Sequence, residues 1–145
     1  MTEPRLSASG HDLTPLSEQE KTARAANLSA EEQRILLNQG TEPPFCGGLL
    51  DNKSAGTYLC KLCQLPLFNS EHKFDSGTGW PSFYSPFDKD HICYLDDHSH
   101  GMTRTEIRCA RCNGHLGHVF PDGPAPTGMR YCLNSASMTF KADDN

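Results

Sequence analysis

The sequence predicts a mainly β, loop-rich fold of one domain, with two short helices at its N-terminus. Three observations carry this. Twelve glycines and ten prolines in 145 residues, with a hydrophobic fraction of 36%, suit short strands and turns better than a helical bundle. From Thr41 onward, apolar residues come in short runs broken by Gly, Pro, Asp and Asn. Two C-x-x-C pairs, Cys60/Cys63 and Cys109/Cys112, offer a metal staple, from which a small domain gains noticeably.

Taken in order, residues 1–16 are polar, hold two prolines and show no periodicity, so they are expected to be disordered or loosely attached. Ser17-Glu18-Gln19-Glu20 and Ser29-Ala30-Glu31-Glu32 both match the S-x-x-E capping box and predict helices over 17–26 and 29–38. Ile35, Leu36 and Leu37 are expected on the apolar side of the second helix, with Gly40 as its stop. Strands are predicted over 56–59, 66–68, 92–95, 103–108, 115–120, 128–133 and 137–141, with a turn at Asp122-Gly123-Pro124. The domain organisation expected is a flexible or loosely packed helical extension over 1–28 and a zinc-stapled domain over 29–145.

Charge and hydropathy exclude several classes. A net charge of −5, without a cluster of Lys and Arg, argues against a nucleic-acid partner, which is bound by counterion release. Residues 1–10 lack the apolar core of a secretory signal, and no stretch is apolar for long enough to span a membrane. The expected location is therefore cytoplasmic. Thiols stay reduced there, so seven cysteines read as metal and redox chemistry rather than as structural disulfides.

Each C-x-x-C presents two sulfurs from one tight turn, and two such knuckles complete a tetrahedron around Zn²⁺. Cys60 follows Thr57-Tyr58-Leu59 and Cys109 follows Glu106-Ile107-Arg108, so each pair lies where a predicted strand ends. Residues 64–108 separate the pairs, and the metal would tie distant parts of the sheet together. A thioredoxin-like redox pair would instead open a helix. Gln64-Leu65-Pro66 and Asn113-Gly114 break helices, which favours one structural zinc per chain. Four thiolates leave no open coordination position for catalysis.

Cys46, Cys93 and Cys132 remain. In Arg130-Tyr131-Cys132-Leu133-Asn134-Ser135, alternation places Arg130, Cys132 and Asn134 on one side of a strand. A guanidinium two residues away favours the reactive thiolate; the competing reading is a small buried hydrophobe. His115 and His118 could stabilise a thiolate or donate a proton near neutral pH. Trp80, in Gly77-Thr78-Gly79-Trp80-Pro81-Ser82-Phe83, reads either as a rigid apolar wall or as a core aromatic in a turn.

These segments, together with Gly40-Thr41-Glu42-Pro43-Pro44-Phe45 and His115-Leu116-Gly117-His118-Val119-Phe120-Pro121-Asp122-Gly123-Pro124, closely resemble the type B methionine sulfoxide reductases from about Asn38 to Phe140. The resemblance implies two small antiparallel sheets in a tent-like arrangement, with zinc opposite the active site. It implies reduction of free or peptide-bound methionine-R-sulfoxide with thioredoxin as reductant. By the same resemblance Cys132 is the nucleophile, Trp80 cradles the substrate methyl group, and His115, His118 and Asn134 hold the sulfoxide oxygen or a nearby water. Phe120 would add to the apolar wall and Arg130 would tune the thiolate. A rival reading is a non-catalytic, zinc-stapled binding module with an aromatic pocket around Trp80.

The chain departs from the family pattern at Thr78, where many members carry the resolving cysteine. Cys46, in Pro43-Pro44-Phe45-Cys46-Gly47-Gly48, is the expected substitute, since its glycines allow the approach to within about 7 Å that a disulfide needs. Cys93, in the strand-like His91-Ile92-Cys93-Tyr94-Leu95, reads as a packed bystander. Direct reduction of a sulfenic acid on Cys132 is the third route.

Overall fold

The computed structural model describes residues 6–45, 47–98 and 101–143. Both serine-led segments fold as helices, α1 over Glu18–Ala25 and α2 over Ala30–Asn38. The full reciprocal capping box forms at α2: Ser29 Oγ accepts the Glu32 N–H at 3.1 Å and the Glu32 carboxylate accepts the Ser29 N–H at 2.9 Å. α2 buries Ile35 and Leu36, whereas Leu37 is 41% exposed. Three successive residues advance by about 100° each and cannot share one stripe. The helix stop also differs from expectation. Gln39 takes the left-handed conformation (φ 58), and Gly40 follows it against Arg34, where a Cβ would lie 3.0 Å from the Arg34 carbonyl oxygen and would have to displace the end of its side chain.

The strands are β1 (Gly56–Cys60), β2 (Pro66–Asn69), β3 (Lys73–Phe74), β4 (Ser82–Phe83), β5 (Ile92–Asp97), β6 (Arg104–Cys109), β7 (His115–Phe120), β8 (Arg130–Leu133) and β9 (Met138–Ala142). They form a three-stranded sheet, β2-β1-β9, and a six-stranded sheet, β3-β4-β8-β7-β6-β5, antiparallel throughout. All seven predicted strands are present. β3 and β4, two residues each, are too short for alternation to reveal, yet β4 borders β8 and pairs Ser82 with Cys132 and Phe83 with Tyr131.

One core joins the two sheets. Phe68 of β2 stacks on Phe83 of β4 at 4.5 Å and 19°, and Tyr58 of β1 meets the same ring edge-on at 5.1 Å. Such aromatic pairs add about 0.5–1.5 kcal/mol each beyond the area they bury. Tyr131 also enters this core, against Phe68 at 5.6 Å. Its neighbour Cys132 therefore faces the other side of the sheet.

Residues 6–16 show no periodicity, yet they are tied down. Leu13 and Leu16 are buried in the core cluster. The Ala8 and Ser9 N–H groups donate to Asp90 and Asp88 at 2.9 and 2.8 Å, and Ser7 Oγ meets His91 Nε2 at 2.8 Å. Contacts of this kind leave no hydrophobic period in a sequence. Among the described residues, no helix is long and apolar enough to cross a membrane.

Candidate active site

Cys132 opens onto a cavity of about 240 Å³ lined by Thr41, Thr78, Trp80, Arg104, Gly117, His118, Phe120, Arg130, Leu133 and Asn134. That volume lies below the usual range for drug-sized ligands and suits a single side chain. The register of the sheet builds it. Cys132 on β8 pairs with Ser82 on one side and with His118 on the other. Gly117 lets β7 and β8 approach, since a Cβ there would fall 1.9 Å from the Cys132 carbonyl oxygen.

Trp80 is half-buried and lines the cavity instead of the core. Its indole N–H donates to the Glu42 carbonyl at 3.0 Å, which fixes the ring. The preceding turn is shaped by Gly77 (φ 73) and Gly79 (φ 91), left-handed positions that favour glycine, and by the Asp75 side chain accepting the Gly77 N–H at 3.1 Å. Asn134 is buried. Its Oδ1 accepts the Glu42 N–H at 3.0 Å and its amide donates to the Leu116 carbonyl at 3.3 Å, which leaves one amide N–H for the cavity. The Glu42 backbone thus anchors two cavity residues at once.

Burial pushes the Cys132 thiol above its ordinary value. The Arg130 guanidinium and then the Thr78 hydroxyl pull it back, while Glu42 adds to the upward push. Arg130 is itself held, bidentate to Asp122 at 2.9 and 3.2 Å and 4.4 Å from the centroid of the Phe120 ring.

The two histidines divide. His118 lines the cavity, and its Nε2–H donates to the Asp97 carboxylate at 2.8 Å. His115 is not among the lining residues. It is buried behind His118, with ring centroids 5.7 Å apart, and its Nδ1–H donates to Glu106 at 2.7 Å. Strict alternation would put residues 115 and 118 on opposite faces. A register shift opposite Ile107/Arg108 brings the rings together. Burial holds His115 below the ordinary imidazole value, against the pull of Glu106. Burial pushes the Glu106 carboxyl up, but hydrogen bonds from Arg108 and His115 outweigh it and hold the group below the usual range.

Cys46 lies outside the described residues. Cys93, on β5, pairs with Arg108 and does not line the cavity. A larger groove of about 650 Å³ lies beside Trp80, lined among others by Phe45, Lys73, Phe74 and Pro81; its lining holds no thiol and no histidine among the described residues.

The four remaining cysteines are buried, with their sulfurs within 4.8 Å of one another, and form a site for a metal ion. Sγ–Sγ distances of 3.5 Å (Cys60–Cys112) and 3.4 Å (Cys63–Cys109) approach the roughly 3.8 Å between ligands of a tetrahedral Zn–S₄ centre with 2.3 Å bonds. The two knuckles repeat one geometry. The Cys60 N–H bonds Leu65 O and the Gln64 N–H bonds Cys60 O; Cys109 and Gly114, and Asn113 and Cys109, do the same. Gln64 and Asn113 are both left-handed, φ 66 and 62. None of the four cysteines lines the Cys132 cavity.

Residues 28–142 match the SelR domain family, a span that covers every cavity-lining residue and both C-x-x-C pairs. The chain belongs to this family. The chain is similar to the peptide methionine sulfoxide reductase MsrB of Caulobacter vibrioides (strain NA1000 / CB15N), 63% identical over 135 residues, which are 93% of this chain and 85% of that protein. It is also similar to the protein of the same name from Xylella fastidiosa (strain M23), 64% identical over 129 residues, 89% of this chain and 83% of the relative.

Within the SelR domain, sequence reasoning missed Arg104 and Asp97. Arg104 lines the cavity and bonds Asp97 at 3.2 Å, and Asp97 in turn holds His118. It also missed Glu106 behind His115. These residues sit on β5 and β6 in no recognisable motif, and only the pairing of β5 with β6 and β6 with β7 brings them to the site.

Proposed function

We propose that the protein reduces methionine-R-sulfoxide, free or in polypeptides, to methionine, with Cys132 as nucleophile. The observation that carries this reading is the placement of Cys132 in a side-chain-sized cavity with Trp80, Arg130, His118 and Asn134, in a chain of the SelR domain family. The thiolate attacks the sulfoxide sulfur. The sulfoxide oxygen passes to the Cys132 sulfur with uptake of one proton, so the sulfoxide gains two electrons and the thiolate becomes a sulfenic acid. The remaining Asn134 N–H donates to this oxygen, His118 donates to it from Nδ1 when its ring carries both protons, since Nε2–H is held by Asp97, and His115 acts from behind His118. Trp80 and Phe120 form the apolar wall for the methyl group, and Arg130 favours the thiolate.

Cys46 then condenses with the sulfenic acid, water leaves, and thioredoxin reduces the resulting disulfide. The support for Cys46 is its sequence neighbourhood and the presence of Thr78, not a thiol, in the cavity. One Zn²⁺ held by Cys60, Cys63, Cys109 and Cys112 is structural: it supplies folding energy and takes no part in the redox step. Cytoplasmic residence, without membrane or nucleic-acid partners, fits the reduced thiols this cycle requires.

The test is turnover of separated R and S epimers with dithiothreitol. Reduction of the R epimer alone, abolished in Cys132→Ser, is expected. Wild-type turnover in that variant would remove Cys132 from the mechanism.

A further inference from the structure

Three hydroxyls connect Cys132 to the backbone of Trp80. Thr78 Oγ1 lies 2.8 Å from Ser76 Oγ, which lies 2.7 Å from Ser82 Oγ. Ser82, buried and paired in register with Cys132, reaches the Trp80 carbonyl at 3.2 Å. At the other end Thr78 shares the cavity with Cys132, and its hydroxyl helps hold the thiol down against the push of burial. The Trp80 N–H approaches Thr78 Oγ1 at 3.5 Å. Three hydrogen bonds thus run from Thr78 through Ser76 and Ser82 to the Trp80 carbonyl, and Cys132, beside Thr78 in the cavity, would supply a fourth link.

Each hydroxyl donates once, and a carbonyl only accepts. With Cys132 as a thiol, four hydrogens fill the four links, all pointing toward the Trp80 carbonyl. A thiolate only accepts, and three hydrogens remain. They then turn the other way, Ser82 to Ser76, Ser76 to Thr78 and Thr78 to Sγ, and the Trp80 carbonyl is released. Every hydroxyl hydrogen finds an acceptor in both states, and each link polarises the next.

We propose that the hydroxyls of Thr78, Ser76 and Ser82 form a reversible hydrogen-bond chain that turns toward Sγ when Cys132 ionises, with Thr78 donating to the thiolate and Ser76 and Ser82 as positioning residues. This rests on Cys132 as the reacting thiol. The chain offsets part of the cost of placing a charge in a buried site, and it links the charge on the nucleophile to the backbone that carries the aromatic wall. The charged and titratable groups that face Cys132 are Arg130 on its own strand, His118 and Arg104 across the cavity, and Glu42 behind it. All four stay in place in the variants below.

The experiment follows iodoacetamide alkylation of Cys132 against pH in the full-length, zinc-loaded protein, read by mass on the peptide that carries Cys132. Thr78→Val, which keeps volume and loses the hydroxyl, should move the midpoint up by about one pH unit, the scale of one hydrogen bond to a charged group. Thr78→Ser should restore it, and Ser76→Ala should give a smaller upward shift. A Thr78→Val midpoint equal to wild type overturns the proposal. So does an unshifted Ser76→Ala, because the chain would then end at Thr78. If Thr78→Val fails to fold, as seen in lost metal and near-UV dichroism, Ser76→Ala decides by the same criterion. Alkylation needs no turnover, so a failure here is distinct from continued turnover in Cys132→Ser.

Discussion

The Arg130 guanidinium lies 4.4 Å from the centroid of the Phe120 ring, while Asp122 grips the same group from its edge. A charge fixed in this way, two residues from Cys132, cannot swing away from the thiol. Arg130→Lys keeps the charge but loses the fork and the stacking. Removing the pull of Arg130 leaves burial less opposed, so the thiol rises and the thiolate fraction at a given pH falls. Alkylation of Cys132 at pH 7 should slow several-fold in Arg130→Lys and more in Arg130→Met. Asp122→Asn, at an exposed partner, should act weakly.

Gly117→Ala should destabilise the protein and impair turnover together. The added methyl would sit 1.9 Å from the Cys132 carbonyl oxygen, and backbone cannot yield as a side-chain tip does. Overpacking of this kind costs about 1–3 kcal/mol, or a fall of roughly 4–10 °C in melting temperature. An unchanged melting curve would mean that β7 and β8 stand farther apart.

Cys60→Ser and Cys109→Ser should each lose the metal, with a melting temperature lower by on the order of 10 °C or more, because structural zinc is worth on the order of 10 kcal/mol in small sites. Mass spectrometry under native conditions should find one zinc in the wild type. A metal-free wild type that melts normally would contradict a structural role.

Asp88 ties down the N-terminal segment. Hydrogen bonding to Ser9 is the main cause that holds its carboxyl down to about 2. Its folded value thus lies below the ordinary carboxylate value near 4. The stability it contributes is present above pH 4 and lost as pH falls from about 4 toward 2. The difference in melting temperature between wild type and Asp88→Asn should therefore shrink across that window. A difference that stayed constant would show that the carboxylate charge plays no part.

Cys46→Ser should retain single-turnover reduction with dithiothreitol and lose most thioredoxin-driven turnover. Normal thioredoxin-driven activity would remove Cys46 as the resolving thiol and favour direct reduction of the sulfenic acid.

The strands and the four-cysteine cluster were legible because both rest on local pattern: alternation for β8, spacing for Cys60/Cys63 and Cys109/Cys112. Alternation along β8 also placed Arg130, Cys132 and Asn134 on one cavity wall. What stayed hidden depends on register. His115 and His118 meet only through an irregular step in the β6/β7 pairing, and Asp97 reaches His118 from β5, two strands away in the sheet. Ser76 and Ser82 look like ordinary turn residues until β4 is laid against β8. Leu13 and Leu16 carry no period because the segment holding them is pinned by side chains of a distant turn.

The paired knuckles also bear on how the molecule is assembled. Each closes on itself within six residues, Cys60 to Leu65 and Cys109 to Gly114, so each is local in sequence. One ends a strand of the three-stranded sheet and the other a strand of the six-stranded sheet, so neither half holds more than two thiolates. A tetrahedral site exists only after the sheets have docked, an event that closes a long loop. Metal retained under a weak chelator then counts the molecules whose two sheets have met, and it gives a census of correct assembly in a preparation before any sulfoxide is added.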